Sequence, residues 1–302
     1  MSRASEQTRL WLPRYWPAWL GLGVMRLADR LPWPEKRFLA RLLAGLAFHV
    51  IGIRRRVVFT NLKLCFPEKS TAEITALARA HYDSLALGLF EVCAGWWASK
   101  ENLPPHRVVG LAHLEQAVAR GHGAILLTAH FTTLELCGRM MAEATRVGCL
   151  YRDPNNPVVA HLMRGQRERH MDVAVHFDDL RGLVRALRDG YAIWYAPDQG
   201  KRTKSSEILP FFGVPAITNT ATGKIAEMTG APVVPYFARR EADHSYTLTI
   251  LPPLENFPTA DAAADAIRIN RLIEEHVRLA PEQYFWVHKR FKARGPGYPE
   301  VY

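Results

Sequence analysis

The segment AILLTAHFTTLEL, residues 124–136, changes from a strand pattern to a helical pattern at a histidine. Residues 124–129 are mostly apolar, as in a strand that is covered on both faces. A helix is predicted over 132–145, so His130 lies where the strand has ended and the helix has not begun. In open α/β sheets, ligands bind beyond the carboxyl ends of the strands. His130 stands at such an end and is therefore a candidate site residue.

The same alternation continues along the chain and indicates the fold class. Further strands are predicted at 149–152, 173–177, 191–196, 231–239 and 245–251, with helices after 157, over 178–190 and near 261–280. A polar turn separates the last two strands, which predicts an antiparallel pair. Strands that alternate with helices of this length predict an α/β fold, with a mainly parallel, mixed central sheet flanked by helices.

Two apolar runs, a tryptophan-rich one at 15–25 and a second at 42–53, characterise the first sixty residues. The first run reaches the roughly 20 residues of a membrane span only by enclosing Arg26 and Asp29. A pair of core helices, an interfacial anchor and a single span are the alternatives. We predict an α-helical, membrane-associated N-terminal region over 1–60. An α/β domain over 61–302 follows, with a helical lead-in at 66–97.

The chain has 302 residues, a formal net charge of +10 and a pI near 9.6. This excess of positive charge indicates an acidic partner: nucleic acid, an anionic membrane, or a phosphorylated or acidic-protein substrate. The four cysteines form no CxxC pair and no zinc-like spacing with histidines, so neither a disulfide framework nor a structural zinc site is expected.

Two interpretations fit His130 and Glu135. In the structural one, Thr132 and Glu135 form a capping box that starts the helix. In the chemical one, the positive end of the helix keeps His130 neutral, and Glu135 holds one ring nitrogen so that the other can act as a general base. Spacing alone leaves both open. A GxSxG nucleophile elbow and a complete P-loop are missing from the sequence.

TAHFTTLE resembles the H-x4-D/E motif of glycerolipid-type acyltransferases. Over nearly its whole length the chain is similar to the lauroyl/myristoyl acyltransferases of lipid A biosynthesis. The similar segments follow the family's order and spacing: RRVVFTNLKLCFPE (55–68), LLTAHFTTLEL (126–136), YRDPNNP (151–157), RGQRER (164–169), WYAPDQG (194–200), PFFGVPA (210–216), APVVPYFARR (231–240) and APEQYFWVHKRFKAR (280–294).

The resemblance implies an enzyme at the cytoplasmic face of the inner membrane. It would move a fatty acyl group from acyl carrier protein to a hydroxyl of a phosphorylated glycolipid, the lipid A precursor. His130 would be the base and Glu135 its partner. The remaining expected site residues, which bind substrate or stabilise the transition state, are Arg167, Asp198, Arg164 and Arg169. Neither a cofactor nor a metal is implied.

Other functions remain as alternatives. The same chemistry could serve a lysophospholipid, an ornithine lipid or another glycolipid. A basic nucleic-acid-binding protein and a non-catalytic membrane-binding module belong to different classes. We predict the acyltransferase, with an anionic membrane surface and no nucleic acid among its partners.

Overall fold

Seven strands form the central sheet of the computed structural model, which describes residues 10–200, 202–295 and 297–302. They are β1 His106–Val109, β2 Ala124–Leu127, β3 Val147–Tyr151, β4 Val173–His176, β5 Ala192–Tyr195, β8 Val233–Arg240 and β9 Tyr246–Ile250. Their order in the sheet is β1-β9-β8-β2-β5-β3-β4, and every neighbouring pair is parallel except β8 with β9. The predicted α/β class and antiparallel pair are therefore confirmed.

Ten α-helices are assigned in the described part of the chain, and most of them cover the sheet. They are α1 Trp16–Ala28, α2 Trp33–Gly45, α3 Arg55–Cys65, α4 Thr71–Trp97, α5 Leu111–Val118, α6 Leu134–Ala144, α7 Pro157–His170, α8 Leu180–Arg188, α9 Ala221–Thr229 and α10 Ala262–Leu279. The lead-in helix α4 begins at a capping box, in which the Glu73 carboxylate accepts from the backbone N–H of Ser70 at 2.8 Å.

Apolar side chains of the central strands alternate between two cores because successive residues of a strand face opposite sides of the sheet. Leu127 and Ile193 belong to the core on one face. Leu126 and Trp194 belong to the core on the other. Covering both faces leaves the strand ends as the place where polar side chains of neighbouring strands can meet.

The antiparallel hairpin β6 Ser206–Phe211 and β7 Val214–Asn219 lies outside the main sheet and was not predicted from the sequence. Its two-residue turn places Phe212 and Gly213 at positive φ, 51° and 72°. Such a turn is usually signalled by Asn-Gly or Asp-Gly. Here phenylalanine occupies the first turn position, so the usual signal is missing. The short elements β1, α5 and α9 were also not predicted.

Helices α1 and α2 and a π-helical segment, Leu46–Ile51, precede α3 in the N-terminal region. Residues 11–53, which include these elements, expose many large apolar side chains: Trp11, Leu12, Trp16, Leu20, Val24, Leu27, Phe38, Leu39, Leu42, Leu43, Leu46, Val50, Ile51 and Ile53. No described helix is both long and apolar enough to cross a bilayer. The predicted domain division after residue 60 falls within α3 and stays a prediction. Residues 1–9 of the predicted N-terminal region lie outside the described part of the chain.

Candidate active site

His130 lies in the link between β2 and α6, and the C-terminal segment of the chain fixes its backbone. The carbonyl oxygen of His130 accepts from the N–H of Phe285 at 3.0 Å. Two residues further, the N–H of Thr132 donates to the carbonyl oxygen of Gln283 at 2.8 Å. These bonds hold the histidine on both sides, at the carboxyl edge of the sheet where the sequence places it.

Asp198 meets His130 at this edge because β5, which precedes Asp198, is the parallel neighbour of β2. Asp198 Oδ1 lies 2.6 Å from His130 Nδ1. Asp198 Oδ2 accepts from the backbone N–H of His130 at 3.1 Å and from the hydroxyl of Tyr284 at 2.9 Å. Two adjacent strand ends and the C-terminal segment thus build one histidine–aspartate pair.

The protonation of the pair follows from its surroundings. Asp198 is 1% exposed, and burial acts to raise its pKa. The charge of His130 and the hydrogen bonds from His130 and Tyr284 outweigh burial and lower the pKa of Asp198 to about 2. An ionised carboxylate only accepts hydrogen bonds, so Nδ1 of His130 must donate. In the neutral ring, Nε2 then carries the lone pair of a base.

Glu135 was expected to be the partner of His130, but the structure places Asp198, not Glu135, at Nδ1 of that ring. Its carboxylate accepts a hydrogen bond from the guanidinium of Arg167 and another from Nε1 of Trp96, the latter at 3.1 Å. The reason is geometric: Glu135 lies in the first turn of α6, which runs beside α4 and α7, while Asp198 occupies the Nδ1 side of the histidine.

The capping-box interpretation of Glu135 is also wrong. Helix α6 begins at Leu134, its N-cap is Thr133, and no side chain caps it. The hydroxyl of Thr132 instead lies 2.7 Å from that of Ser84 on α4. Helix α4 approaches α6 closely at Gly95, where a Cβ would lie 3.0 Å from the carbonyl oxygen of Glu135. The start of α6 is therefore held by packing and by the pair with Arg167.

The three arginines of RGQRER have different environments on α7. Arg167 is largely buried, with its side chain 10% exposed. Burial opposes its charge, but the neighbouring Glu135 raises the pKa of Arg167 above its ordinary value. Arg164 is half-buried and donates to Asp153 at 3.1 Å. Arg169 is exposed. The structure thus joins Arg167 to Glu135 and leaves Arg169 at the solvent side of the helix.

Three aromatic or imidazole residues near these groups were missed from the sequence: Tyr284, Trp96 and His288. Burial lowers the pKa of His288 to about 4, and the charges of Asp198 and His130 both act on its ring. Two of the three lie in YFWVHKRF, residues 284–291. An unusual aromatic density close to the C-terminus was the available signal.

The fold and the site define a class of protein: an α/β protein with a histidine, held by a buried carboxylate, at the carboxyl edge of its sheet. A histidine held in this way can remove a proton from a hydroxyl group. Residues 3–293 match the model of the family described as Bacterial lipid A biosynthesis acyltransferase. The chain belongs to this family, and it is an O-acyltransferase.

Individual relatives agree with this family. The chain is 37% identical to a lipid A biosynthesis lauroyltransferase of Escherichia coli (strain K12), covering 98% of this chain and 97% of that protein. It is 35% identical to a lipid A biosynthesis palmitoleoyltransferase of the same organism, covering 96% and 95% of the two chains. A lipid A biosynthesis myristoyltransferase from that organism is 30% identical, covering 96% and 91%.

Among solved structures, the 1-acyl-sn-glycerophosphate acyltransferase PlsC of Thermotoga maritima is similar over 81% of this chain and 97% of its own, with a TM-score of 0.38 and 14% identity.

Proposed function

We propose that the protein transfers a fatty acyl group from acyl carrier protein to a hydroxyl of a phosphorylated glycolipid, the lipid A precursor, at the cytoplasmic face of the inner membrane. Family membership and relatives named for lauroyl, palmitoleoyl and myristoyl transfer support the reaction class. The observation that carries the proposal is the His130–Asp198 pair: Asp198 occupies Nδ1, and the histidine side chain is 32% exposed, so that Nε2 can meet an acceptor hydroxyl.

In the proposed reaction, Nε2 of His130 takes the proton of the acceptor hydroxyl as its oxygen attacks the thioester carbonyl carbon. The C–O bond forms and a tetrahedral oxyanion results. When this intermediate collapses, the C–S bond breaks and the imidazolium returns its proton to the departing thiolate. Asp198 holds the ring and stabilises its positive charge. General base catalysis of this kind typically contributes about 10²–10⁴-fold in rate.

Glu135 and Arg167 have a positioning role in this proposal. Their ion pair joins the first turn of α6 to α7, and Trp96 adds the end of α4. The link that carries His130 runs directly into α6, so a fixed helix start keeps the histidine in place. Arg164 is half-buried, and we assign it, rather than Arg169, to a phosphate of the acceptor. Arg169 lies roughly 140° further round the helix, at 3.6 residues per turn.

The N-terminal helices supply the membrane contact in this proposal. Their exposed apolar side chains include tryptophans, which favour the headgroup region of a bilayer. Arginines such as Arg14 and Arg30 accompany them and suit anionic lipid. An interfacial orientation would deliver a lipid acceptor to the enzyme without removing it from the membrane surface.

An acyl-transfer assay in detergent micelles tests the proposal. The donors are acyl carrier protein and coenzyme A loaded with the same acyl chain, and the acceptors are the lipid A precursor and a lysophospholipid. The parent is compared with His130→Ala and with His161→Ala, a control at an exposed histidine of α7.

We expect transfer from acyl carrier protein to the lipid A precursor, at least about 100-fold slower in His130→Ala and unchanged in His161→Ala. A folded parent that acylates only the lysophospholipid would reject the proposed acceptor. A parent that uses only coenzyme A would reject the donor. Activity that survives His130→Ala would reject the base.

A further inference from the structure

Both segments that complete the His130–Asp198 pair continue into exposed cations. The chain after Asp198 reaches Arg202 and Lys204 within six residues, and both are exposed. The chain after Tyr284 reaches Lys289 and Lys292, which are exposed as well. We call these four cations, Arg202, Lys204, Lys289 and Lys292, the basic rim. Lys201, in the same segment, lies outside the described residues.

The two halves of the basic rim belong to one surface because both rest on Ile217 of β7. The N–H of Ile217 donates to the carbonyl oxygen of Ala293 at 3.1 Å. On the other side, Gly200 packs so closely that a Cβ would lie 2.0 Å from the carbonyl oxygen of Ile217. The sequence contains no aspartate or glutamate in 199–206 or in 283–294. The rim is therefore uniformly basic along both segments.

The chemistry of the rim differs from that of the N-terminal helices. Its large apolar neighbours Trp286, Val287 and Phe291 are all buried. Protein surfaces that lie on a lipid bilayer combine cations with exposed apolar side chains, as the N-terminal helices do. Ile208, the cross-strand partner of Ile217, is 37% exposed, so the rim has few exposed apolar groups rather than none. A charged surface of this kind favours an acidic protein, because charge complementarity steers and orients such a partner.

We infer that the basic rim is the docking surface for an acidic acyl carrier protein, and that it lies beside His130, where the thioester of the carrier reacts. This inference rests on the proposed donor and adds where the donor binds. The N–H of Phe285, four residues before Lys289, donates to the carbonyl oxygen of His130 at 3.0 Å. The rim therefore begins next to the active site, and a carrier bound there holds its thioester close to His130.

The test uses the full-length enzyme in detergent, with acyl carrier protein as the donor and the lipid A precursor as the acceptor. Two charge-reversal variants are made, Lys289→Glu with Lys292→Glu and Arg202→Glu with Lys204→Glu. The matched control is Arg185→Glu with Arg188→Glu, two exposed cations of α8. The KM of each substrate, kcat and the salt dependence of kcat/KM are measured.

For both rim variants we expect the KM of the acyl carrier protein to rise about 10-fold or more and the salt dependence to weaken, since rim charges act mainly on encounter. We expect kcat and the KM of the lipid to stay within about 2-fold, and the control to match the parent. An unchanged donor KM would overturn the inference. A raised lipid KM would instead assign the rim to acceptor phosphates.

Weaker binding of the rim variants to anionic phospholipid vesicles, with an unchanged donor KM, would assign the rim to the membrane and overturn the inference as well. Failure of the proposed function is distinguishable from both results. In that case the parent itself would not use the acyl carrier protein, and the donor and its docking surface would be rejected together.

Discussion

Replacement of Asp198 by asparagine perturbs the candidate site most selectively, because it removes one charge and preserves the size of the side chain. Three donors point at the two carboxylate oxygens: Nδ1 of His130, the N–H of His130 and the hydroxyl of Tyr284. An amide has a single oxygen, so at least one of these donors would face an NH₂ group. The positive charge that develops on His130 would also lose its counter-ion.

The structure gives the order of magnitude of the effect. The pKa of Asp198 falls from its ordinary 3.8 to about 2. At 1.36 kcal/mol per pKa unit, this corresponds to about 2.5 kcal/mol, or roughly 60-fold in rate. Burial opposes this lowering, whereas the hydrogen bonds from the His130 backbone and Tyr284 add to it, so the attraction between carboxylate and imidazolium is of this order. We therefore expect kcat of Asp198→Asn to fall between about 60-fold and 10⁴-fold.

The assay is acyl transfer at saturating donor and acceptor, with a thermal melt of each variant. Asp172→Asn is the matched control, because Asp172 also accepts a backbone N–H, that of Val147 at 3.0 Å, but precedes β4 at the opposite edge of the sheet. It should keep the kcat of the parent. A folded Asp198→Asn enzyme within about 3-fold of the parent would refute the role given to Asp198.

Three further predictions concern the neighbours of this pair. Tyr284→Phe should lower kcat about 10-fold or more while KM stays the same, because a hydrogen bond to a charged group is worth about 1.5–3 kcal/mol. An unchanged kcat would count against a role of the Tyr284 hydroxyl in holding Asp198. Glu135→Gln should lower the melting temperature as well as activity, since it leaves Arg167 buried without its counter-ion; lost activity at an unchanged melting temperature would instead indicate direct catalysis. The lowered pKa of Asp198 contributes stability that is fully present above about pH 4 and is lost as the pH falls towards 2. The free energies of unfolding in urea of the parent and of Asp198→Asn should therefore converge in that range. A constant difference between the two free energies would contradict this prediction.

Regular elements of the fold could be predicted because their patterns are local. The buried strand before His130 and the capped helix α4 carry their signals within a few residues. The hairpin β6–β7 could not be predicted, because Phe212 occupies a positive-φ turn position that ordinarily takes Gly, Asn or Asp. The antiparallel pair β8–β9 was predictable from its short polar turn.

The site was only partly predictable, because the partner of His130 depends on strand order. Asp198 lies 68 residues away in sequence and reaches His130 only because β5 pairs with β2. Glu135, five residues from His130, looked closer. Its direction is set by the helix that begins at Leu134 and by Arg167, a residue of another helix. Tyr284 illustrates the same point, since no local pattern marks a tyrosine that donates to a distant carboxylate.

The most direct test of the His130–Asp198 pair is kcat for acyl transfer by His130→Ala, Asp198→Asn and the double variant. If Asp198 acts through His130, the double variant should be no slower than His130→Ala alone, because residues that act as a unit are strongly non-additive. Losses that multiply in the double variant would contradict the pair and give Asp198 a separate role.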